Sequence, residues 1–256
     1  MAVIVALVWR LNSFGFVGLP PSLPASRLWV EPARKFCYLR SMIRSPSFAG
    51  VILAAGESSR MGRDKALLPW PPAAAAQTAS NETFLSAAIR SLSQAADFVL
   101  VVVGKNEAAL ASIVYANGAS LVVNPDPDRG QFSSLQMGLH EVLNHGRDAA
   151  IITLVDRPPA ASATVQSLRE AFEVADQYIW VVVPEFTGKH GHPYLIGREM
   201  IEAFLRVPAT STARDIEHAH QEHIQYVRVE DPFVSMNVNT PEDYAALQAP
   251  GRIVDC

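Results

Sequence analysis

Small residues followed by two basic side chains make the segment 53–65 a candidate anion site. The small residues at 54–56 let a ligand approach the backbone closely, and successive backbone N–H groups can form a concave site for an anion. Arg60 and Lys65 add full positive charge within the same segment. We therefore predict that it binds a polyphosphate, although an ordinary basic turn between a strand and a helix would show the same features.

Two familiar phosphate-binding motifs do not fit this segment. The Walker loop needs Gly-x4-Gly-Lys-Ser/Thr, whereas here five residues separate Gly56 from Gly62 and the lysine comes three residues later. The dinucleotide fingerprint needs a second glycine two residues after the first, and Ser58 occupies that position. The spacing therefore excludes both motifs.

A second polar segment, 124–135, combines a turn containing proline and glycine with the adjacent residues Ser133 and Ser134. We expect these serines at the start of a helix, where hydroxyl and backbone N–H groups meet the positive end of the helix dipole. Simple N-capping would need only one of the two serines, and it is the alternative to a ligand contact.

Asp156 follows a predicted buried strand, 151–155, at a place where packing needs no acid. Its carboxylate could bind a hard cation or cap the following turn. Mg²⁺ prefers one or two carboxylates together with substrate phosphates, so a magnesium site is the sharper prediction. Arg157, the next residue, could form an ion pair or contact an anionic acceptor.

Histidines and glutamates are grouped near the end of the chain as His218, His220, His223, Glu217 and Glu222. On a helix, residues 220 and 223 would be neighbours while 218 would point elsewhere, and the His-Glu-x-x-His order of zinc sites is absent. We interpret the group as a solvated polar face rather than a metal site.

Apolar runs of strand length alternate with amphipathic stretches from Phe48 onward. The runs are rich in β-branched residues, as expected of strands covered on both faces, and they span 51–53, 98–103, 121–123, 151–155 and 179–183. Helical periodicity appears in four stretches. The first follows the polar cluster 81–83, and the second is capped by Asn106 and closed by Gly118. The third covers 135–142, and the fourth is capped by Ser162. The alternation predicts a single doubly wound α/β domain with a mainly parallel sheet, in which ligands bind beyond the carboxyl ends of the strands. Thr240 before Pro241 predicts one more helix start.

Composition excludes several classes of protein. The 256 residues contain 21 basic and 25 acidic side chains, a net charge of −4, which argues against a general nucleic-acid binder. Hydrophobic residues make up 49% and charged ones 18%, which excludes a wholly disordered chain. Cys37 and Cys256 form neither a disulfide framework nor a zinc site. The sequence has no run of about 18 apolar residues, so we predict no membrane-spanning helix. We expect a cytoplasmic protein.

Residues 1–47 differ from the rest, with an apolar stretch followed by scattered prolines and arginines. The prolines forbid a continuous helix, and Arg10 follows the apolar stretch instead of preceding it as in a signal peptide. We predict a poorly ordered extension, or an upstream start with the working protein beginning near Met42; a targeting or membrane-associating segment is the alternative. The folded domain is predicted over 48–250, with a surface loop at 71–76 and a tail at 251–256.

Residues 53–69 read Leu-Ala-Ala-Gly-x-Ser-x-Arg-Met-Gly-x-x-Lys-x-Leu-Leu-Pro. This pattern resembles the signature of the MobA-like NTP transferase family, most of all its molybdenum cofactor cytidylyltransferase branch, and the resemblance extends from about Gly50 to Leu247. It implies a Rossmann-like fold of the nucleotide-diphospho-sugar transferase type. The implied reaction moves a nucleoside monophosphate from an NTP to an acceptor phosphate with Mg²⁺ and releases pyrophosphate.

The resemblance also implies roles for individual residues. It assigns catalysis to Lys65, Arg60 and Asp156. It assigns nucleotide binding to Leu53, Ala54, Ala55, Gly56, Ser58, Gly130, Ser133 and Ser134. Within Gly-His-Pro at 191–193, which is similar to the family's acceptor-side loop, His192 would contact the acceptor. Arg157 departs from the family, which usually has Met-Pro or Gln-Pro after the aspartate, and we expect it to form an ion pair or to contact an anionic acceptor. The hydroxyl cluster 210–214 lies where relatives often carry Gly-Asp-x-Gly-Ala, and it would contact the acceptor phosphate or only cap a helix.

The metal ligands implied by the resemblance are Asp156 and Asn239. The family commonly shows Asp-x-Asp before its last helix, and this chain has Asn237 and Asn239 instead. An amide oxygen can still ligate Mg²⁺ but contributes no charge, so weaker metal binding is expected.

The partners that the resemblance implies are an NTP, CTP or GTP with CTP favoured, and a phosphorylated acceptor such as molybdopterin. A molybdoenzyme client would follow, and neither nucleic acid nor a membrane is expected. Two alternatives are kept. One is transfer to a sugar phosphate or another alcohol phosphate, and the other is a non-catalytic nucleotide-binding module, which the two asparagines motivate.

Overall fold

The computed structural model describes residues 46–72 and 82–247, and its strands form one mixed sheet. The strands are β1 (Phe48–Leu53), β2 (Phe98–Val103), β3 (Ser120–Val123), β4 (Ala149–Leu154), β5 (Val181–Phe186), β6 (Lys189–His190), β7 (Tyr194–Gly197) and β8 (Ile224–Arg228). Their spatial order is β3-β2-β1-β4-β7-β5-β6, and β8 also pairs with β5.

Parallel pairing joins β1 to β2 and β4, β2 to β3, and β5 to β8. Strand β7 runs antiparallel to both of its neighbours, β4 and β5, and β6 forms a hairpin with β5. The prediction of an α/β fold with a mainly parallel sheet is confirmed. The antiparallel insertion of β7 was not anticipated from the sequence.

Helices cover both faces of the sheet. They are α1 (Phe84–Ser93), α2 (Glu107–Ala116), α3 (Gln131–Asn144), α4 (Ser162–Val174), α5 (Arg198–Arg206), α6 (Ala213–Ala219) and α7 (Pro241–Ala246). One apolar cluster joins α1, α2 and α4 to Ile52, and the other joins α3, α5 and α6 to Val51. Neighbouring residues of β1 thus belong to opposite clusters, which makes the domain doubly wound as predicted.

Two of the predicted helix starts are confirmed by reciprocal caps. The Thr83 hydroxyl accepts a hydrogen bond from the backbone N–H of Ser86, and the Ser86 hydroxyl accepts one from the N–H of Thr83. Thr240 and Asp243 form the same arrangement at α7, with Pro241 as its first residue. Gly118 follows the end of α2 in a left-handed conformation, as expected of a closing glycine.

Several predicted boundaries differ from the structure, and remote contacts account for two of the differences. Ser162 is the first residue of α4 rather than its cap, because the N–H of Ala161 is already bonded at 2.8 Å to the carboxylate of Asp231, which is remote in sequence. The strand expected at 179–183 begins at Val181, where its pairing with β8 begins, and runs to Phe186, which pairs with β6.

Some predictions fall outside the described residues. These are the N-terminal extension up to residue 45, positions 73–76 of the loop and the tail 251–256. Ser47, which is described, donates from its hydroxyl to the Asp148 carboxylate at 2.6 Å. Within the described ranges, no helix combines the length and apolar character needed to cross a membrane.

The carboxyl ends of three strands meet at one edge of the sheet. Leu53 at the end of β1 lies in register with Val102 of β2 and Leu154 of β4. The segments that leave these strands are therefore neighbours, and they include the predicted polyphosphate segment and Asp156.

The segment before α7 is fastened to the same edge. The N–H of Val238 donates to the carbonyl oxygen of Asp156 at 2.8 Å, and the Tyr244 hydroxyl donates to the carbonyl oxygen of Pro69 at 2.9 Å. A small apolar cluster completes the attachment: Met61, Leu68, Phe84, Val238 and Tyr244. Two segments that are far apart in sequence are thus held side by side.

Candidate active site

The predicted polyphosphate segment leaves β1 as an irregular loop with one strained residue. Ser58 has a φ of 52°, in the left-handed region that non-glycine residues rarely occupy. Its carbonyl oxygen accepts from the N–H of Met61 at 2.9 Å, and its hydroxyl accepts from the N–H of Lys65 at 3.1 Å. These bonds fold the loop back on itself and fix the backbone at Lys65.

Asn106 ties this loop to the end of β2. Its Nδ2 donates to the carbonyl oxygen of Ala54 at 2.9 Å and to the carboxylate of Asp64 at 2.7 Å, while its Oδ1 accepts from the N–H of Gly104 at 3.1 Å. The sequence prediction placed Asn106 correctly at the start of α2, but its side chain makes no cap hydrogen bond there. Its contacts with the loop were missed, because nothing local to Asn106 indicates them.

The ammonium group of Lys65 lies beside two oxygen-bearing side chains. It is only 8% exposed, and its Nζ donates to Oδ1 of Asn239 at 2.9 Å and lies 3.7 Å from Oδ2 of Asp156. The other carboxylate oxygen of Asp156, Oδ1, is buried without a hydrogen-bond partner in the described structure. A buried carboxylate oxygen with no donor is a ready ligand for a cation.

A cavity of about 260 Å³, called the loop cavity below, opens between the loop, α3 and the end of β4. Its lining contains seven of the predicted site residues: Leu53, Ala55, Gly56, Ser58, Lys65, Ser134 and Asp156. Pro127 and Gln131 also line it, and the sequence prediction missed both. The structure therefore brings most of the predicted nucleotide and catalytic residues to one space.

Other predicted residues lie outside that lining. Arg60 is exposed on a short turn, and within the described chain it has no ion pair. Ala54 is buried beneath the loop, with its carbonyl oxygen bonded to Asn106. Ser133 donates to the carbonyl oxygen of Gly130 at 2.7 Å, which is a local role at the start of α3.

The two adjacent serines are linked through a residue that the prediction overlooked. Nδ2 of Asn124 donates to the hydroxyl of Ser133 at 3.0 Å and to that of Ser134 at 2.9 Å, and all three side chains are buried. The arrangement fixes the start of α3 against the end of β3. Of the two serines, only Ser134 borders the loop cavity.

Asn239 is held in place by the cap of α7. The Asp243 carboxylate accepts from the N–H of Asn239 at 2.8 Å and from that of Thr240 at 3.0 Å. These backbone hydrogen bonds lower the pKa of Asp243. The helix cap predicted at Thr240 thus also positions the side-chain amide of Asn239 toward Lys65.

The Gly-His-Pro turn at 191–193 packs closely against the backbone at Val234. A side chain at Gly191 would overlap the carbonyl oxygen of Val234, which also accepts from the N–H of His192 at 2.9 Å. Burial, and then the charge of Arg157, lower the pKa of His192 to about 3. His192 is therefore neutral at pH 7, and it can contact an acceptor by hydrogen bonding but not as a cation.

Arg157 lies behind this turn. Its Nη1 donates to the carbonyl oxygen of Met236 at 3.2 Å, and its Nε is buried without a partner in the described structure. Burial lowers the pKa of Arg157, and Asp156 opposes that effect. Arg157 lines neither the loop cavity nor the larger cavity described next.

A larger cavity of about 500 Å³, called the side cavity below, adjoins the loop cavity. The two share Leu53, Gln131 and Leu154. His192 lines the side cavity, as does the hydroxyl-bearing segment 210–212. His192, the predicted acceptor residue, thus lines a cavity that adjoins the one lined by Lys65.

Glu217 also lines the side cavity, and the sequence interpretation of a solvated polar face missed this. Burial raises the pKa of Glu217 to about 7. That interpretation is also wrong for His223, which is 8% exposed and stacks on Trp180 with ring centroids 3.7 Å apart. Among the described residues, no group of three or more His, Cys, Asp or Glu side chains is arranged to hold a metal ion.

A comparison with protein families decides the class of the protein. The model of the MobA-like NTP transferase domain matches residues 50–224. The chain belongs to this family. The resemblance seen at residues 53–69 is confirmed, and the chain is a member of a family of nucleotidyltransferases.

Curated relatives of this MobA-like chain include proteins from several bacteria. The purine catabolism protein PucB of Bacillus subtilis is 30% identical over 64% of this chain and 82% of its own. The molybdenum cofactor cytidylyltransferase of Escherichia coli is 24% identical over 76% of this chain and 92% of its own. A probable molybdenum cofactor guanylyltransferase of Rhodopirellula baltica is 27% identical over 77% and 90%.

Solved structures agree with the MobA-like fold. Rv0371c from Mycobacterium tuberculosis is 25% identical, with a TM-score of 0.65 over 79% of this chain and 98% of its own. The same protein in complex with manganese is 24% identical, with a TM-score of 0.62 over the same shares. A divalent metal therefore occurs in a structural neighbour.

Proposed function

We propose that the protein transfers CMP from CTP to the phosphate of a molybdopterin acceptor, with Mg²⁺ and with release of pyrophosphate. The observation that carries the proposal is the convergence of Lys65 Nζ, the Asp156 carboxylate and the Asn239 amide beside the loop cavity. Family membership supports an NTP donor. The E. coli and Rhodopirellula baltica relatives, named a cytidylyltransferase and a probable guanylyltransferase, both support a molybdenum cofactor acceptor. The choice of CTP over GTP rests on the resemblance of residues 53–69 to the cytidylyltransferase branch.

The residues present fit a hard divalent cation. Oδ1 of Asp156 is buried with no partner in the described structure, and Oδ1 of Asn239 keeps a second lone pair beyond the bond from Lys65. Carboxylate and amide oxygens are ligands that Mg²⁺ accepts alongside substrate phosphates. Held by these two residues, Mg²⁺ would supply charge neutralisation at the α-phosphate and the acceptor.

The protein's own task is to align two anions and cancel their repulsion. An oxygen of the acceptor phosphate attacks the α-phosphorus and forms the new P–O bond. The bond to the bridging oxygen breaks, and its electron pair leaves with pyrophosphate. Lys65 neutralises the developing charge, with Arg60 assigned to the outer phosphates. The acceptor phosphate is already ionised at neutral pH, so no general base is needed, and a neutral His192 suits that requirement.

The side cavity is the proposed acceptor site. It shares three lining residues with the loop cavity, so an acceptor bound there could direct its phosphate toward Asp156. Arg129 and Arg214 line it and suit an anionic ligand. Arg157, which lines neither cavity, is assigned electrostatic support from behind the Gly-His-Pro turn.

The test is a pyrophosphate-release assay with each of the four NTPs, Mg²⁺ and molybdopterin. We expect release that depends on the acceptor and is fastest with CTP. Release with a sugar phosphate in place of molybdopterin would indicate the sugar-phosphate reaction instead. Nucleotide binding without pyrophosphate from any acceptor would indicate a non-catalytic module.

A further inference from the structure

An unpartnered carboxyl group faces the side cavity. Glu217 lies on α6, next to Ile216, which is buried in the apolar cluster beneath the helix. Within the described chain the Glu217 carboxyl has neither a hydrogen bond nor an ion pair, and burial raises its pKa to about 7. Glu217 is half-buried, and a carboxyl group that borders a cavity with no protein donor is available to a donor on a ligand.

A tyrosine side chain lines the same cavity and interacts electrostatically with this carboxyl. Tyr194 on β7 is 7% exposed, and burial together with the charge of Glu217 raises the pKa of its hydroxyl. In the described structure this hydroxyl has no hydrogen-bond partner either, and both residues line the side cavity. Two polar groups of one cavity are thus left for a ligand to satisfy.

The remaining walls separate into an apolar part and a cationic part. Phe132, Leu135 and Ile152 supply apolar surface, which suits a flat ring system. Arg129 and Arg214 also line the cavity, and both are exposed. Two arginines disfavour a cationic ligand, so the carboxyl is better matched to a neutral edge that carries N–H donors.

We propose that Glu217 determines acceptor specificity by accepting two hydrogen bonds from the 2-amino-4-oxo-pyrimidine edge of a fused bicyclic acceptor. The inference rests on the proposed function, since it takes the side cavity as the acceptor site. The ring N–H and the exocyclic amine of this edge are adjacent and parallel, so one carboxylate can accept from both. A volume of about 500 Å³ is sufficient for a two-ring heterocycle.

The test compares two small probes on the full-length protein by fluorescence titration. Pterin carries the 2-amino-4-oxo edge, whereas lumazine carries a second carbonyl oxygen in place of the amine. We expect pterin to bind about ten-fold or more tightly than lumazine, because a carbonyl oxygen facing a carboxylate leaves both acceptors unpaired. Glu217→Gln should weaken pterin binding by about ten-fold and remove most of the discrimination.

Two further variants keep the test decisive. Glu222→Gln changes an exposed glutamate of the same segment, and it should bind both probes as the wild type does. Glu217→Asp keeps the carboxylate but withdraws it by one methylene, so it should lose part of the pterin affinity. Far-UV circular dichroism and thermal unfolding of each variant establish that it is folded. If Glu217→Gln does not fold, the result for Glu217→Asp decides, and unchanged pterin affinity in that variant overturns the inference.

The inference and the proposed function fail in different ways. Equal affinity of the wild type for pterin and lumazine overturns the inference, as does pterin binding by Glu217→Gln within two-fold of the wild type. No saturable pterin binding up to the solubility limit also overturns it. These outcomes leave CTP binding and pyrophosphate release untouched. Pterin discrimination through Glu217 in a protein that releases no pyrophosphate would instead overturn the proposed function.

Discussion

Lys65 is a buried positive charge whose partners are already in place. Its Nζ is shared between the Asn239 amide and the Asp156 carboxylate, so its position is set before any anion enters. Such preorganisation is what makes one charge effective in the transfer of a phosphoryl or nucleotidyl group.

Lys65→Met should lower turnover by about 100- to 1000-fold, because it removes this charge while keeping most of the side-chain volume. The midpoint of thermal unfolding should change little. Lys105→Met is the matched control: Lys105 bonds Glu57 and Asp128 at the surface, where an exposed pair contributes roughly 0–1 kcal/mol. Steady-state pyrophosphate release measures both variants, and wild-type turnover in Lys65→Met would refute the role assigned to it.

Asp156→Asn should weaken divalent-metal binding, because the carboxylate supplies charge that the Asn239 amide cannot. We expect a loss of about 100-fold or more in turnover and a higher Mg²⁺ concentration for half-maximal activity. Electron paramagnetic resonance of added Mn²⁺ measures binding independently of activity. Asp128→Asn, at a carboxylate that is 71% exposed, is the control. Equal Mn²⁺ affinity in Asp156→Asn and the wild type would exclude Asp156 as a ligand.

At the level of single residues, the sequence indicates those that lie in a continuous motif. Lys65 and Asp156 follow strands in recognisable patterns, and both reach the loop cavity. Glu217 and His223 stand in a charged, histidine-rich stretch, and nothing local shows that they are shielded. Glu217 is half-buried by the walls of the side cavity and His223 is buried against the ring of Trp180, and both environments are remote in sequence.

At the level of elements, local signals predict the strands and helices that depend on local contacts. The apolar runs of β1, β2 and β4 and the cap at Thr240 were predicted because their causes lie within a few residues. Ser162 failed as a cap because the remote Asp231 satisfies the start of α4. The insertion of β7 between β4 and β5 depends on pairing across the sheet, which no local pattern encodes.

Asn106 tests whether the loop after β1 needs its attachment to β2. Asn106→Ala removes the bonds to Gly104, Ala54 and Asp64, so we expect the free energy of unfolding to fall by roughly 1–3 kcal/mol. The KM for the nucleotide should rise, because the loop is no longer held in its binding conformation. Urea unfolding and steady-state kinetics measure the two effects.

Asn117→Ala is the matched control at the other end of α2. The Asn117 side chain donates only to the carbonyl oxygen of Ile113 at the surface, so its loss should change the free energy of unfolding by less than about 0.5 kcal/mol. Equal effects of the two substitutions on KM would show that the attachment through Asn106 does not position the loop.

At the scale of the whole molecule, two half-buried titratable groups give stability opposite dependences on pH. The pKa of His192 is lowered from 6.5 to about 3, so between these values the unfolded chain binds the proton that the folded chain rejects. Stability from this group falls as the pH falls, by about 2 kcal/mol from pH 7 to 5. The pKa of Glu217 is raised from 4.5 to about 7, so the folded chain keeps a proton that the unfolded chain has lost. Stability from that group falls as the pH rises, by about 2 kcal/mol from pH 5 to 7.

These two contributions offset each other between pH 5 and 7, so single substitutions should reveal them with opposite signs. Relative to the wild type, His192→Gln should be more stable at pH 5 than at pH 7, because glutamine does not titrate. Glu217→Gln should show the reverse, gaining stability relative to the wild type as the pH rises from 5 to 7. Urea unfolding of the three proteins at both pH values measures the differences. A difference from the wild type that does not vary with pH would mean that the substituted group titrates alike in the folded and unfolded chains.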